Sequence, residues 1–147
     1  MKHNLLISNV SSRSDDSEYE DLLKVFDYMS DIDDPQRDQD LREAVQNAGE
    51  VGVTLLLENL ASGRYIKDTI WLCQCLKLQE SIPSITKYLD SDEKTIRIAA
   101  AITLTKLGSP NGFNKLKQMV ELGEIPEHWL SAYGISLDFS SENEASA

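Results

Sequence analysis

Residues 82–108, IPSITKYLDSDEKTIRIAAAITLTKLG, constrain the fold more than any other stretch of the chain. Ile82, Ile85 and Leu89 recur at spacings of three and four, which predicts a short helix with one apolar face. Ser81 is placed to cap its start, and Pro83 is tolerated because the first turn of a helix needs no amide donors. Ser91 or Asp92 can cap the longer helix that follows. On that second helix Ile96, Ala100, Leu104 and Leu107 make one face, while Ile98, Ala101 and Ile102 make much of the opposite one. A helix that is apolar on two sides needs neighbours on two sides. Ala99, Ala100 and Ala101 let those neighbours come close, and Gly108 supplies a left-handed stop. One helical hairpin cannot cover both faces, so the pattern demands further copies.

The copies can be found. A shift of 29 residues towards the N-terminus places Val53, Leu56 and Leu60 under Ile82, Ile85 and Leu89. The same shift puts Ile70, Leu72, Cys73, Cys75 and Leu78 under Ala99, Ala101, Ile102, Leu104 and Leu107. A shift of 31 towards the C-terminus brings Phe113, Leu116 and Val120 under the short-helix set, and Trp129, Ala132, Tyr133 and Ile135 under Ile98, Ala101, Ile102 and Leu104. One frame that matches both helices is the mark of a repeat. The central unit resembles a HEAT-like repeat of the short kind named after phycobilisome lyases. The resemblance rests on Ile82 and Pro83, then Asp92, Ile96, Arg97, Ala99 to Ala101, Leu104, Leu107 and Gly108. It implies an all-α fold, an α-α superhelix or short solenoid of about four helical hairpins with the first and last degenerate. It says little about function.

The ends follow the same grammar. Residues 1–16 show no clear period and are expected to form an N-terminal arm. A capping box at Ser17 and Glu20 then predicts a helix to about Ser30, with Leu22, Leu23, Val25, Phe26 and Met29 inward. Asp34 as cap and Pro35 in first position predict a second helix, closed by Gly49, with Leu41, Ala44, Val45 and Ala48 inward. Ser62 and Gly63 make the turn of the next hairpin, with Arg64, Tyr65 and Lys67 opening its second helix. Ser109 and Pro110 begin another helix, ending near Gly123. Pro126 opens the last, whose aromatics Trp129 and Tyr133 are expected to seal the end of the core. One domain over 17–139 and a disordered polar tail over 140–147 complete the expectation.

The chemistry in the sequence is sparse. Cys73 and Cys75 stand two apart on a predicted helix, where they cannot pair comfortably, and no cluster has zinc-ligand spacing. A calcium loop begun at Asp31 would need Gly and Glu where Gln36 and Arg42 stand. His3 and His128 lack a nucleophile motif, although His128 with Glu127 or Glu124 has acid–base capacity. No catalytic, cofactor or metal site is therefore expected, and the chain reads as no enzyme. The apolar run within residues 1–10 is too short for a secretory signal and no segment is long enough to span a membrane, so a cytoplasmic location is expected.

Charge is the remaining signal. The chain carries a net charge of −11, and residues 1–50 hold 13 acids against 5 bases. Phosphate binding needs a basic surface, so nucleic acid is excluded as a partner and one basic protein is favoured. Asp31, Asp33, Asp34, Asp38, Asp40 and Glu43 are the candidate contact residues; Trp71 is read first as core packing and second as an aromatic anchor of the same interface. A small, acidic chain with no catalytic site is similar in general character to immunity proteins of bacterial contact-dependent growth-inhibition systems. That resemblance implies a toxin antagonist, its state outside the complex a monomer or left open, that covers the active site or substrate groove of a basic toxin, a nuclease above all. A HEAT-like adaptor or assembly factor would use the same surface, and a phycobilin-lyase-like enzyme is the third reading.

Overall fold

The computed structural model describes residues 4–30 and 32–137, with side chains from Ser17 onward. These residues form eight α-helices and no strand: α1 (Asn4–Met29), α2 (Pro35–Ala48), α3 (Glu50–Ser62), α4 (Ile66–Cys75), α5 (Ile82–Thr86), α6 (Lys94–Lys106), α7 (Pro110–Glu121) and α8 (Glu127–Ala132). Single 3₁₀ turns, Gln79–Ser81 and Lys87–Asp90, flank α5. The chain divides into two compact units, Met1–Leu76 and Lys77–Ala147.

In the first unit α1 packs on α2 and α3, and α3 on α2 and α4. Leu22 and Phe26 of α1, Leu41 and Val45 of α2, and Leu55, Leu56 and Leu60 of α3 fill the core, joined by Ile70, Leu72 and Cys73 of α4. Each such side chain removed from water contributes about 1.5–3 kcal/mol before the entropy of ordering it is counted. The stops are local. Asp34 caps α2 by accepting the Gln36 N–H at 2.9 Å, with Pro35 first in the helix. Gly49 and Gly63 end α2 and α3 at positive φ. Gly52 lies where α3 crosses α2, so close that a Cβ there would strike the carbonyl of Val45. A buried polar pair, Asn59 Nδ2 donating to Thr69 Oγ1 at 3.2 Å, ties α3 to α4.

In the second unit α6 packs against α5 and α7. Ile96, Ala100 and Leu104 are buried, and so are Ala101 and Ile102 on the other side, as a helix apolar on two faces requires. The alanines do permit close approach. A Cβ added to Gly112 of α7 would stand 2.5 Å from Leu104 Cβ and 2.9 Å from the Ala101 carbonyl oxygen. Leu116 and Met119 of α7, Leu130 of α8, and Ile125, Ile135 and Leu137 complete this core.

Five expectations change. Residues 4–16 belong to α1 instead of forming an arm, and Ser17 lies inside that helix. A capping box contributes only about 1 kcal/mol, and no Gly or Pro interrupts the helix between Asn4 and Met29. Ser81 does not cap α5, because its hydroxyl donates to the Leu78 carbonyl at 2.7 Å. At the second helix of that hairpin, the Ser91 hydroxyl accepts the Glu93 N–H at 3.2 Å, and α6 begins at Lys94. Tyr65 does not open α4 but precedes it at φ 48°, and its ring rests on Phe26 with centroids 5.5 Å apart. That tertiary contact offsets the cost of a left-handed tyrosine. Trp129 and Tyr133 do not seal the core, being 49% and 45% exposed, while Leu130 and Ile135 do that work. The tail over 140–147 and Asp31 lie outside the described residues.

Candidate functional site

Helix α2 carries Asp38, Asp40 and Glu43 of the expected contact residues, and its geometry splits them. At 3.6 residues per turn Asp38 stands about 160° around the helix from Asp40 and about 140° from Glu43. Asp40 and Glu43 share the solvent face, opposite buried Leu41 and Val45. Asp38 lies on the flank that meets α4. The carboxylates are also engaged within the unit. Asp34 is the α2 cap, Asp40 accepts from Gln36 Nε2 at 3.1 Å, and Glu43 accepts from Gln39 Nε2 at 2.8 Å. Asp33 is exposed ahead of the cap.

Arg37 organises the α2–α4 flank. Its Nε donates to the Met29 carbonyl at 2.8 Å, Nη1 to Asp38 at 2.6 Å and Nη2 to Asp68 at 2.5 Å. One half-buried guanidinium thus holds the end of α1, the first turn of α2 and the first turn of α4. Burial disfavours its charge, but the hydrogen bonds and charges of Asp68 and Asp38 outweigh that and hold its pKa above the ordinary value. On α4, Asp68, Trp71 and Cys75 recur at spacings of three and four and so share a face. Trp71 and Cys75 are half-buried. Burial pushes the Cys75 thiol up, with Arg42 lowering it and Asp38 raising it across the flank. The structure therefore brings Trp71 and Asp38 to neighbouring elements and leaves Asp40 and Glu43 on another face.

Helix α1 has a different outer surface. Glu18, Glu20, Asp21 and Asp27 are exposed, and Tyr28 is 69% exposed, the most open large apolar side chain among the described residues. Among the described residues of this unit the arginines are drawn inward: Arg37, Arg42 and Arg64 are all half-buried. Arg64 Nη2 donates to Tyr19 Oη at 3.2 Å, and Tyr19 in turn donates to Glu58 Oε1 at 3.0 Å. Burial, first, and the Glu58 carboxylate raise the Tyr19 phenol, while Arg64 lowers it.

Reading the sequence missed three of these features. Arg37, Asp68 and Tyr28 were not among the candidates. The shared face of Asp68 and Trp71 is visible in their spacing, whereas the bond from Arg37 joins residues 31 apart and leaves no local trace. Tyr28 follows Asp21 by seven positions, which places both on one face of α1.

A cleft of about 420 Å³ beside α8 is lined by Glu127, His128, Ser131, Ile135, Ser136 and Leu137. The Ser131 hydroxyl donates to the main-chain oxygen of His128 at 2.8 Å. The described residues hold no group of three metal-ligating side chains, and no helix among them is long and apolar enough to cross a membrane. Neither known family profiles, curated proteins nor solved structures match the chain.

Proposed function

We propose that the chain is a non-enzymatic protein-binding module, an immunity protein that neutralises a basic bacterial toxin by laying an acidic surface over its active site or substrate groove. A nuclease is the favoured class of toxin, because a groove built to hold phosphates is cationic and fits a carboxylate-bearing surface. The observation that carries the reading is the sorting of charge in the Met1–Leu76 unit. Among its described residues the exposed charged side chains are mainly carboxylates, whereas Arg37, Arg42 and Arg64 turn inward. Such a surface steers a basic partner and raises the association rate towards about 10⁸–10⁹ M⁻¹s⁻¹ at low salt. A short HEAT-like superhelix is the architecture we propose for the module. Its support is that α1 packs on α2, α3 on α4 and α5 on α6, that α1 packs on α3 as well as on α2, and that Arg37 joins α2 to Asp68 of α4.

The test takes any basic domain encoded beside this chain as the candidate toxin domain. Glu20, Asp27, Asp40 and Glu43 are changed together to Lys; all four are exposed, so the helical circular dichroism spectrum should persist. Cells producing the wild-type chain should survive the toxin domain, and cells producing the variant should not. Equal protection by both proteins refutes the acidic-surface mechanism, and a wild-type chain that protects against no neighbouring basic domain refutes the function.

A further inference from the structure

We infer that the outer face of α1, with Tyr28 as its anchor, is where the basic partner docks, in preference to the carboxylates of α2. The inference deepens the acidic-module reading and rests on it. Ser17, Glu20, Asp21, Lys24, Asp27 and Tyr28 fall within about 120° of arc around α1 and point away from buried Leu22 and Phe26. All six are exposed. The face is about 17 Å long at 1.5 Å per residue, which suits the centre of an interface of roughly 800 Å² per partner.

Two observations separate this face from α2. The first is engagement. Asp34, Asp38, Asp40 and Glu43 already accept hydrogen bonds from Gln36, Arg37 and Gln39. Among the described residues, the carboxylates of Glu20, Asp21 and Asp27 accept no such bond. The second is the aromatic. Tyr28 is left 69% exposed on a helix whose opposite side buries Phe26 to 1%. Tyrosine is favoured at the energetic centre of interfaces because its ring gives a large contact with few rotamers to freeze and its hydroxyl stays hydrogen-bonded. Three carboxylates and one lysine surround it, so the complementary surface is cationic. A partner Arg or Lys stacked on the Tyr28 ring, with its charge beside Asp21 and Asp27, satisfies both features at once.

The probe is a hexa-arginine peptide, titrated into the ¹⁵N-labelled full chain at low salt, with hexa-glutamate as control. Saturable amide shifts should centre on Glu20 to Tyr28. Tyr28→Ala should weaken the peptide roughly two- to fivefold, the worth of an exposed cation–aromatic contact, and Tyr28→Phe should bind as wild type. Tyr28 is exposed, so neither change threatens folding. Shifts centred on Asp33 to Glu43, with affinity indifferent to Tyr28→Ala, overturn this face and leave the acidic-module reading standing. No saturable binding of hexa-arginine anywhere on the chain overturns both.

Discussion

Replacing Gly112 by Ala sets two known effects against each other. Gly112 lies in the first turns of α7 and is buried against α6. Its backbone is helical, so the substitution gains about 0.8–1.0 kcal/mol of helix propensity. Against that, the new methyl carbon would stand 2.5 Å from Leu104 Cβ, 2.7 Å from the Thr105 amide nitrogen and 2.9 Å from the Ala101 carbonyl oxygen. Ordinary carbon contacts lie at about 3.5–4.0 Å, so α7 must retreat from α6 by the order of 1 Å. None of the three atoms is the end of a flexible side chain, and α6 is held on its other side by α5. Overpacking of a well-filled core costs about 1–3 kcal/mol, and fixed neighbours put this case at the upper end. The net expectation is a loss of about 2 kcal/mol. Urea unfolding followed by circular dichroism at 222 nm reads it as a midpoint about 1 M lower, for a slope near 2 kcal/mol/M. Gly108→Ala is the companion variant. Its φ is 91° and no atom lies within 4 Å, so only backbone strain of about 1–2 kcal/mol applies. A Gly112→Ala protein as stable as wild type would refute the close α6–α7 packing and the two-sided reading of α6.

Two further perturbations examine the first unit. Arg37→Ala removes the bonds to Met29, Asp38 and Asp68, leaving the half-buried Asp68 without its cation; we expect a loss of about 2 kcal/mol, between the values for exposed and fully buried pairs. Urea unfolding measures it, and a loss below about 0.5 kcal/mol would show that the clamp is incidental. Cys75 carries a pH dependence. Its folded pKa is raised above 9.0 by burial, so the neutral thiol is favoured in the native state. That contribution is present below the unfolded value and is lost as pH rises through the folded one. Thermal unfolding should therefore show an alkaline decline above pH 9 that Cys75→Ala reduces. Iodoacetamide at pH 8 should label the native chain once, slowly, at Cys75 and not at buried Cys73.

Much of the helical order was legible in the sequence because its signals are local. Pro35, Gly49, Gly63, Gly108 and Gly123 mark ends that need only a few neighbouring residues to operate, and each stands at a helix boundary. The apolar spacing of residues 82–108 likewise announced that α6 would be buried on two faces. Local signals failed where a competing interaction, or the lack of a helix breaker, decided the outcome. The box at Ser17 could not stop a helix with no breaker before it. Ser81 found the Leu78 carbonyl instead of a helix amide. At the C-terminal end the repeat frame matched residue types, yet Trp129 and Tyr133 stayed exposed because Leu130 and Ile135 already fill that core.

The acidic region shows the same division. Composition alone establishes that the first half of the chain is strongly negative, with 13 acids against 5 bases over residues 1–50. Which of those charges remain available to a partner is a tertiary matter. Arg37 reaches across 31 residues to Asp68 and takes up Asp38, while the face of α1 that holds Glu20, Asp27 and Tyr28 is left open. Periodicity and charge are properties of neighbouring residues, so the sequence carries them by itself. The pairing and shielding of a side chain depend on which helices meet, and only the packed structure decides that.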